Sequence, residues 1–147
     1  MSLNRYYIPQ ESWNLQNLVL TGEEAHHCRE VMRHEVGDKL VVFNGHGSEA
    51  MATIRSSSKD RIELDSQGAS KSERLPVSLT LAQAVIKGKN MELILQKATE
   101  LGVSRVVPLL SERTVVKLDA KERAKKHAKW QRTLIEASKQ SGQNWLP

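Results

Sequence analysis

Apolar and polar positions along this chain follow two rhythms, and the change between them falls near the middle. Up to about residue 65, the short apolar runs Asn17 to Leu20, Lys39 to Phe43, Ala50 to Ile54 and Arg61 to Leu64 alternate with the turn-forming stretches Gly37-Asp38, Asn44 to Gly47 and Ser56 to Asp60. Short runs bounded by Gly, Asn, Asp and Ser predict strands, and together they read as a small β-barrel. One helix interrupts them over Glu23 to His34, with Thr21 as its N-cap ahead of Glu23 and Glu24. Asn44-Gly45 between two apolar runs predicts a tight hairpin rather than a nucleotide loop.

The stretch Ser66 to Pro76 is rich in Ser, Gly and charge, and beyond it the rhythm lengthens. Val77 to Val85 predicts a strand and Lys87-Gly88-Lys89-Asn90 a turn. Met91, Ile94, Leu95, Ala98 and Leu101 then recur at helical spacing until Gly102. Arg105 to Leu110 predicts a second strand, followed by Ser111-Glu112-Arg113-Thr114. A long helix over Asp119 to Ser141 has Asp119 as N-cap and Glu122 as its capping-box partner. The implied organisation is a first domain over 1–70, a linker over 71–76 and a second domain over 77–147. Two parallel strands make a poor sheet on their own, so the second domain reads as incomplete.

Charge sharpens this division. To Leu75 there are 9 Lys/Arg against 11 Asp/Glu, a net of −2, whereas from Pro76 onward there are 13 against 6, a net of +7. A basic half points to a polyanionic partner, and RNA suits it better than a lipid surface because the helices lack a bulky apolar face beside the basic one. No apolar run reaches the length of a membrane span and no leader pattern opens the chain, so a cytoplasmic location is expected. Cys28 is the only cysteine, and with His26 and His27 it does not form a metal-ligand pattern, so no metal is expected. A nucleophile elbow and a P-loop are both missing, which argues against a hydrolase or nucleotide-binding enzyme.

Several motifs, in order and at this spacing, resemble the RsmE family of ribosomal RNA small-subunit methyltransferases. They are Arg5-Tyr6-Tyr7, His26 with Val31-Met32-Arg33, Gly37-Asp38, Asn44-Gly45-x-Gly47, the run from Gln83 to Val103, Pro108 to Arg113, and Glu136-Ala137-x-x-Gln140-Ser141. The family shows Arg shortly after the last motif, where this chain has Gln143. The resemblance implies α/β plus β architecture: an N-terminal PUA-like β-barrel, then the first β-α-β-α part of a SPOUT (trefoil-knot) methyltransferase domain. It also implies methylation of a uridine N3 in 16S rRNA with S-adenosylmethionine, whose site is expected beyond residue 147, and a homodimer in the full-length protein. The alternative is a non-catalytic RNA-binding module.

Candidate site residues follow from chemistry at these positions. Lys87 and Lys89 flank Gly88 at a strand-to-helix turn and suit phosphate, or are simply a solvated turn. Glu112 and Arg113 at the second strand's end form either an acid and a cation for catalysis or a structural ion pair. Glu136 is the third catalytic candidate, since removing the N3 proton of uridine calls for a base. Lys121, Lys125, Lys129 and Arg132 fall on one helical face, a phosphate-binding stripe or a solvated surface. In the first domain Arg5 and Tyr6, beside Tyr7, join a cation to stacking faces suited to unpaired bases, or pack on the barrel as an edge strand. Arg29 and Arg33 give that domain a basic patch.

Overall fold

A computed structural model describes residues 3–112 and 119–147, and the chain divides into two compact units, Met1–Arg74 and Leu75–Pro147. The first unit is built on one five-stranded sheet: β1 (Arg5–Tyr7), β2 (Leu18–Thr21), β3 (Lys39–Phe43), β4 (Ser48–Ser57) and β5 (Arg61–Lys71), in the spatial order β1-β3-β4-β5-β2. β1 runs parallel to β3, and every other pairing is antiparallel. Hydrogen bonding leaves β1 and β2 as edges, so the expected barrel is a curled half-barrel sheet.

Alternation makes the core. Leu18 and Leu20, Leu40 and Val42, Ala50, Ala52 and Ile54, and Ile62 and Leu64 point to one face, where they are buried with Tyr6, Ile8, Ala25 and Cys28. Each large apolar side chain buried there contributes roughly 1.5–3 kcal/mol. On the opposite face Arg55 bridges Glu63 (3.0 Å) and Asp65 (3.2 Å), and Arg61 also reaches Glu63 (3.2 Å).

Three local features differ from the sequence-based expectation. β4 and β5 are much longer than their apolar centres: the polar stretch Ser66 to Lys71 is strand, registered as Ser48↔Lys71, Glu49↔Ser70 and Ala50↔Ala69. Backbone pairing with β4 settles that segment whatever its side chains, and Gly68, at φ +112°, accommodates the register shift there. The single helix expected over Glu23 to His34 is instead a short α1 (Gly22–His26) followed by a π-helical turn (His27–Val31). Thr21 occupies the N-cap position in extended conformation, yet its side chain makes no capping hydrogen bond; Glu24 instead accepts from the Tyr7 amide (3.1 Å).

The second unit is a β-α-β-α arrangement. β6 (Thr80–Ala84) and β7 (Arg105–Leu109) are parallel, registered from Thr80↔Arg105 to Ala84↔Leu109, with α2 (Asn90–Glu100) between them in sequence. β6 is shorter than the apolar run that predicts it, and Val77 and Leu79 lie exposed before it. α2 buries Met91, Leu95 and Thr99, and Gly102, at φ +79°, turns the chain out of it. A Cβ at Gly102 would lie 2.8 Å from Leu75 Cδ1, a side chain that can give way, so the positive φ is what calls for glycine. α3 (Ala120–Ser141) begins with a reciprocal cap: Glu122 N donates to Asp119 Oδ1 (2.8 Å), and Asp119 N to Glu122 Oε2 (3.3 Å).

Candidate nucleic-acid interface

α2 and α3 pack side by side and leave a groove of about 610 Å³ between them. Lys89, at the N-cap of α2, and Lys129, Arg132 and Glu136 from α3 all line it, so four of the sequence-derived candidates meet in one place. Helical spacing is the cause: positions 129, 132, 136 and 140 share one face of α3. Gln96 and Gln140 add carboxamides to the lining. Both carboxylates of the groove are engaged, Glu92 with Lys129 and Glu136 with Lys139, whose Nζ lies 2.9 Å from Oε1. Lys139 is absent from the sequence-derived set and is the buried partner of that pair. Nothing in its spacing from Lys129 and Arg132 distinguishes it as such.

Lys121 and Lys125, the remainder of the stripe, are exposed and do not line the groove. Lys87 is exposed on the turn after β6, outside the groove lining, beside Gly88 at φ +80° with no atom within 4 Å of where a Cβ would stand. Glu112 is exposed just past β7, and Arg113 lies outside the described residues, so the expected Glu112/Arg113 pairing is not placed.

A second cavity, about 300 Å³, opens at the carboxyl edge of β6 and β7. Val85, Pro108 and Leu110 form its apolar part, and Arg123, Lys126, His127 and Trp130 of α3 its wall. Ligands in α/β sheets sit at this edge. None of these four α3 residues is among the sequence-derived candidates. Their spacing of 123, 126, 127 and 130 was the available signal for a shared face.

In the first unit the candidates divide sharply. Arg5 Nη1 is 2.8 Å from Glu49 Oε2 and its guanidinium lies 5.0 Å from the Phe43 ring centroid, with the side chain only 14% exposed. Tyr6 is wholly buried, its ring packed against His27 and His34, and burial drives its hydroxyl pKa far above the usual tyrosine range. No ring face is left for a base, so the stacking role expected of Tyr6 gives way to a core role. Arg29 stays exposed beside Glu30 (3.1 Å), and Arg33 is exposed with its backbone at φ +56°.

Family matches to both units give the class of the chain, that of RNA methyltransferases. Residues 20–65 match the family described as the RNA methyltransferase PUA domain, and residues 73–147 the RNA methyltransferase domain. The chain belongs to the RNA methyltransferase family that these matches describe, and relatives named ribosomal RNA small subunit methyltransferase E are similar to it along most of its length. The relative from Bacillus subtilis is 36% identical across 99% of this chain, and the one from Synechocystis 35% across 88%. Among solved structures, a Legionella pneumophila methyltransferase in complex with SAM superposes over 100% of this chain with a TM-score of 0.92 at 36% identity. The Neisseria gonorrhoeae ribosomal RNA small subunit methyltransferase E bound to S-adenosyl methionine covers 99% with a TM-score of 0.89 at 32% identity. The chain spans 58% of the B. subtilis relative and 61% and 60% of those two structures.

Proposed function

We propose that the protein to which this chain belongs methylates N3 of a uridine in 16S rRNA of the small ribosomal subunit, using S-adenosylmethionine and acting as a homodimer in the cytoplasm. The observation that carries this reading is the match of both units, in order, to the two domains of one RNA methyltransferase family. No described helix is long and apolar enough to cross a membrane.

The groove between α2 and α3 suits the polyanion rather than the cofactor. S-adenosylmethionine brings a sulfonium cation, whereas the groove carries Lys89 and Arg132 beside the Lys129–Glu92 pair, and its other carboxylate, Glu136, is tied to Lys139. This groove therefore does not suit the cofactor, which we assign to residues beyond 147. In this reading Lys89, Lys129 and Arg132 hold RNA phosphates, with Lys87 and Lys125 on neighbouring surface, and Arg113 adds a cation past β7. Arg29 and Arg33 serve the PUA unit in the same way. Glu112 and Glu136 are the proton-accepting candidates. Glu112 is exposed, while Glu136 has Oε1 committed to Lys139 and takes a proton through Oε2. Positioning of the nucleotide does most of the work, and a general base adds about 10²- to 10⁴-fold.

The test is to delete the gene in its host and analyse nucleosides from purified 16S rRNA by mass spectrometry. Loss of N3-methyluridine, restored by the intact gene, is the expected result; its persistence in the deletion strain rejects the reading.

A further inference from the structure

Between the π-helical turn and β3 the first unit holds a loop whose construction calls for an explanation. Arg33 is the one non-glycine residue with positive φ among the described residues, at +56°, a conformation that L side chains rarely adopt. The loop around it is pinned at several points. Cys28 is buried in the core, its carbonyl accepting from His34 N (3.1 Å), and Met32 N donates to His27 O (2.9 Å). Asn4 Nδ2 donates to His34 Nε2 (2.9 Å), which leaves the ring proton on Nδ1, 3.1 Å from Asp38 Oδ2. The same Asp38 oxygen accepts from Glu35 N (2.9 Å).

This frame presents apolar side chains outward among the exposed charges of Arg29, Glu30, Arg33 and Glu35. Val31 is 58% exposed, Met32 40% and Val36 62%, three apolar side chains within six residues, with the exposed Arg29 and Arg33 beside them. A strained, anchored backbone that holds apolar groups in water is the mark of a binding element rather than of a folding one.

We propose that this loop is a wedge that recognises an unpaired base in RNA, with Met32 between the shoulders Val31 and Val36 laid on the base face and Arg33 on the adjoining phosphate. The choice of partner rests on the RNA reading above and on the loop's place within residues 20–65, matched to the RNA methyltransferase PUA domain. The choice of unpaired RNA rests on chemistry. An A-form duplex shows a protein mainly phosphates, sugar hydroxyls and base edges, on which three apolar side chains gain nothing, whereas a base splayed from its stack offers an apolar face. Apolar side chains such as methionine are used as wedges against unstacked bases elsewhere in nucleic-acid recognition.

The test uses the 147-residue chain with two labelled RNAs of equal length and charge, a hairpin with an open loop and a fully paired duplex. The expected result is binding to the hairpin about tenfold tighter, the equivalent of one stacked base. Met32→Ser removes that preference and leaves duplex affinity and salt dependence unchanged. Arg33→Gly, which glycine's backbone freedom lets the loop accept, weakens binding to both RNAs and lowers the log-log salt slope by about one. Equal affinity for the two RNAs, or an undiminished preference in Met32→Ser with its fold intact by circular dichroism, overturns the wedge and leaves RNA binding standing. Binding of neither RNA overturns both.

Discussion

Lys139 reaches back along α3 to Glu136, Nζ to Oε1 at 2.9 Å, and the lysine is the buried member of the pair, its side chain 6% exposed against 54% for the glutamate. Its alkyl stem is thus packed while its ammonium fixes a carboxylate on the groove wall. Lys139→Ala should destabilise the chain by about 2 kcal/mol, through lost packing and a lost charge-assisted hydrogen bond. Lys139→Met should recover most of this. Urea unfolding followed by tryptophan fluorescence measures both, and an unchanged midpoint for the alanine variant contradicts the assignment.

The Asp119/Glu122 cap makes a separate prediction at the other end of the same helix. Asp119→Ala should cost about 1 kcal/mol, because it leaves the Glu122 amide without its acceptor. Amide exchange in the first turn of α3 should rise accordingly, with α2 unaffected.

Tyr6 separates a core role from a stacking role. Tyr6→Ala should cost about 3–5 kcal/mol by opening a cavity in the sheet's buried face. Tyr6→Phe should keep the fold and leave RNA affinity unchanged, as read by fluorescence anisotropy. A large loss of affinity in a folded Tyr6→Phe protein would restore the residue to the interface.

Acid should act on the loop that Asp38 closes. The backbone amide of Glu35, and then His34, hold the Asp38 carboxyl below the usual aspartate range. A folded-state pKa below the unfolded one contributes stability that is complete above the ordinary value of about 4 and is lost as pH falls through the lower folded value. Protection of the Glu35 amide should therefore decline below about pH 4 and not between pH 5 and 8. In Asp38→Ala the step should vanish, which amide exchange at a series of pH values will show.

S-adenosylmethionine should leave the melting temperature of the 147-residue chain unchanged. A saturable rise with ligand concentration would place the cofactor site within these residues.

Local signals in the sequence were the ones that carried through. Gly102 ends α2, and Asp119 with Glu122 opens α3, because each depends on a few adjacent residues. The lengths of β4 and β5 were not legible, since pairing rather than composition makes Ser66 to Lys71 a strand. Nor was the inward direction of Tyr6: in a three-residue strand the face is chosen by its partner, here through Tyr6↔Val42. The groove was half legible. Helical spacing groups Lys129, Arg132 and Glu136, but only the packing of α2 on α3 brings Lys89 to them.

The strand order of the first unit also sets a timetable. β1 is hydrogen-bonded to β3, its Arg5 opposite Val41, and β2 to β5, its Leu18 opposite Leu64. Neither of the first two strands has a sheet partner nearby in sequence, so as the chain leaves the ribosome both must wait, the second until β5 has emerged. The apolar residues of β1 and β2 are the ones left uncovered in that interval, and a pause in translation before residue 71 should expose them longest.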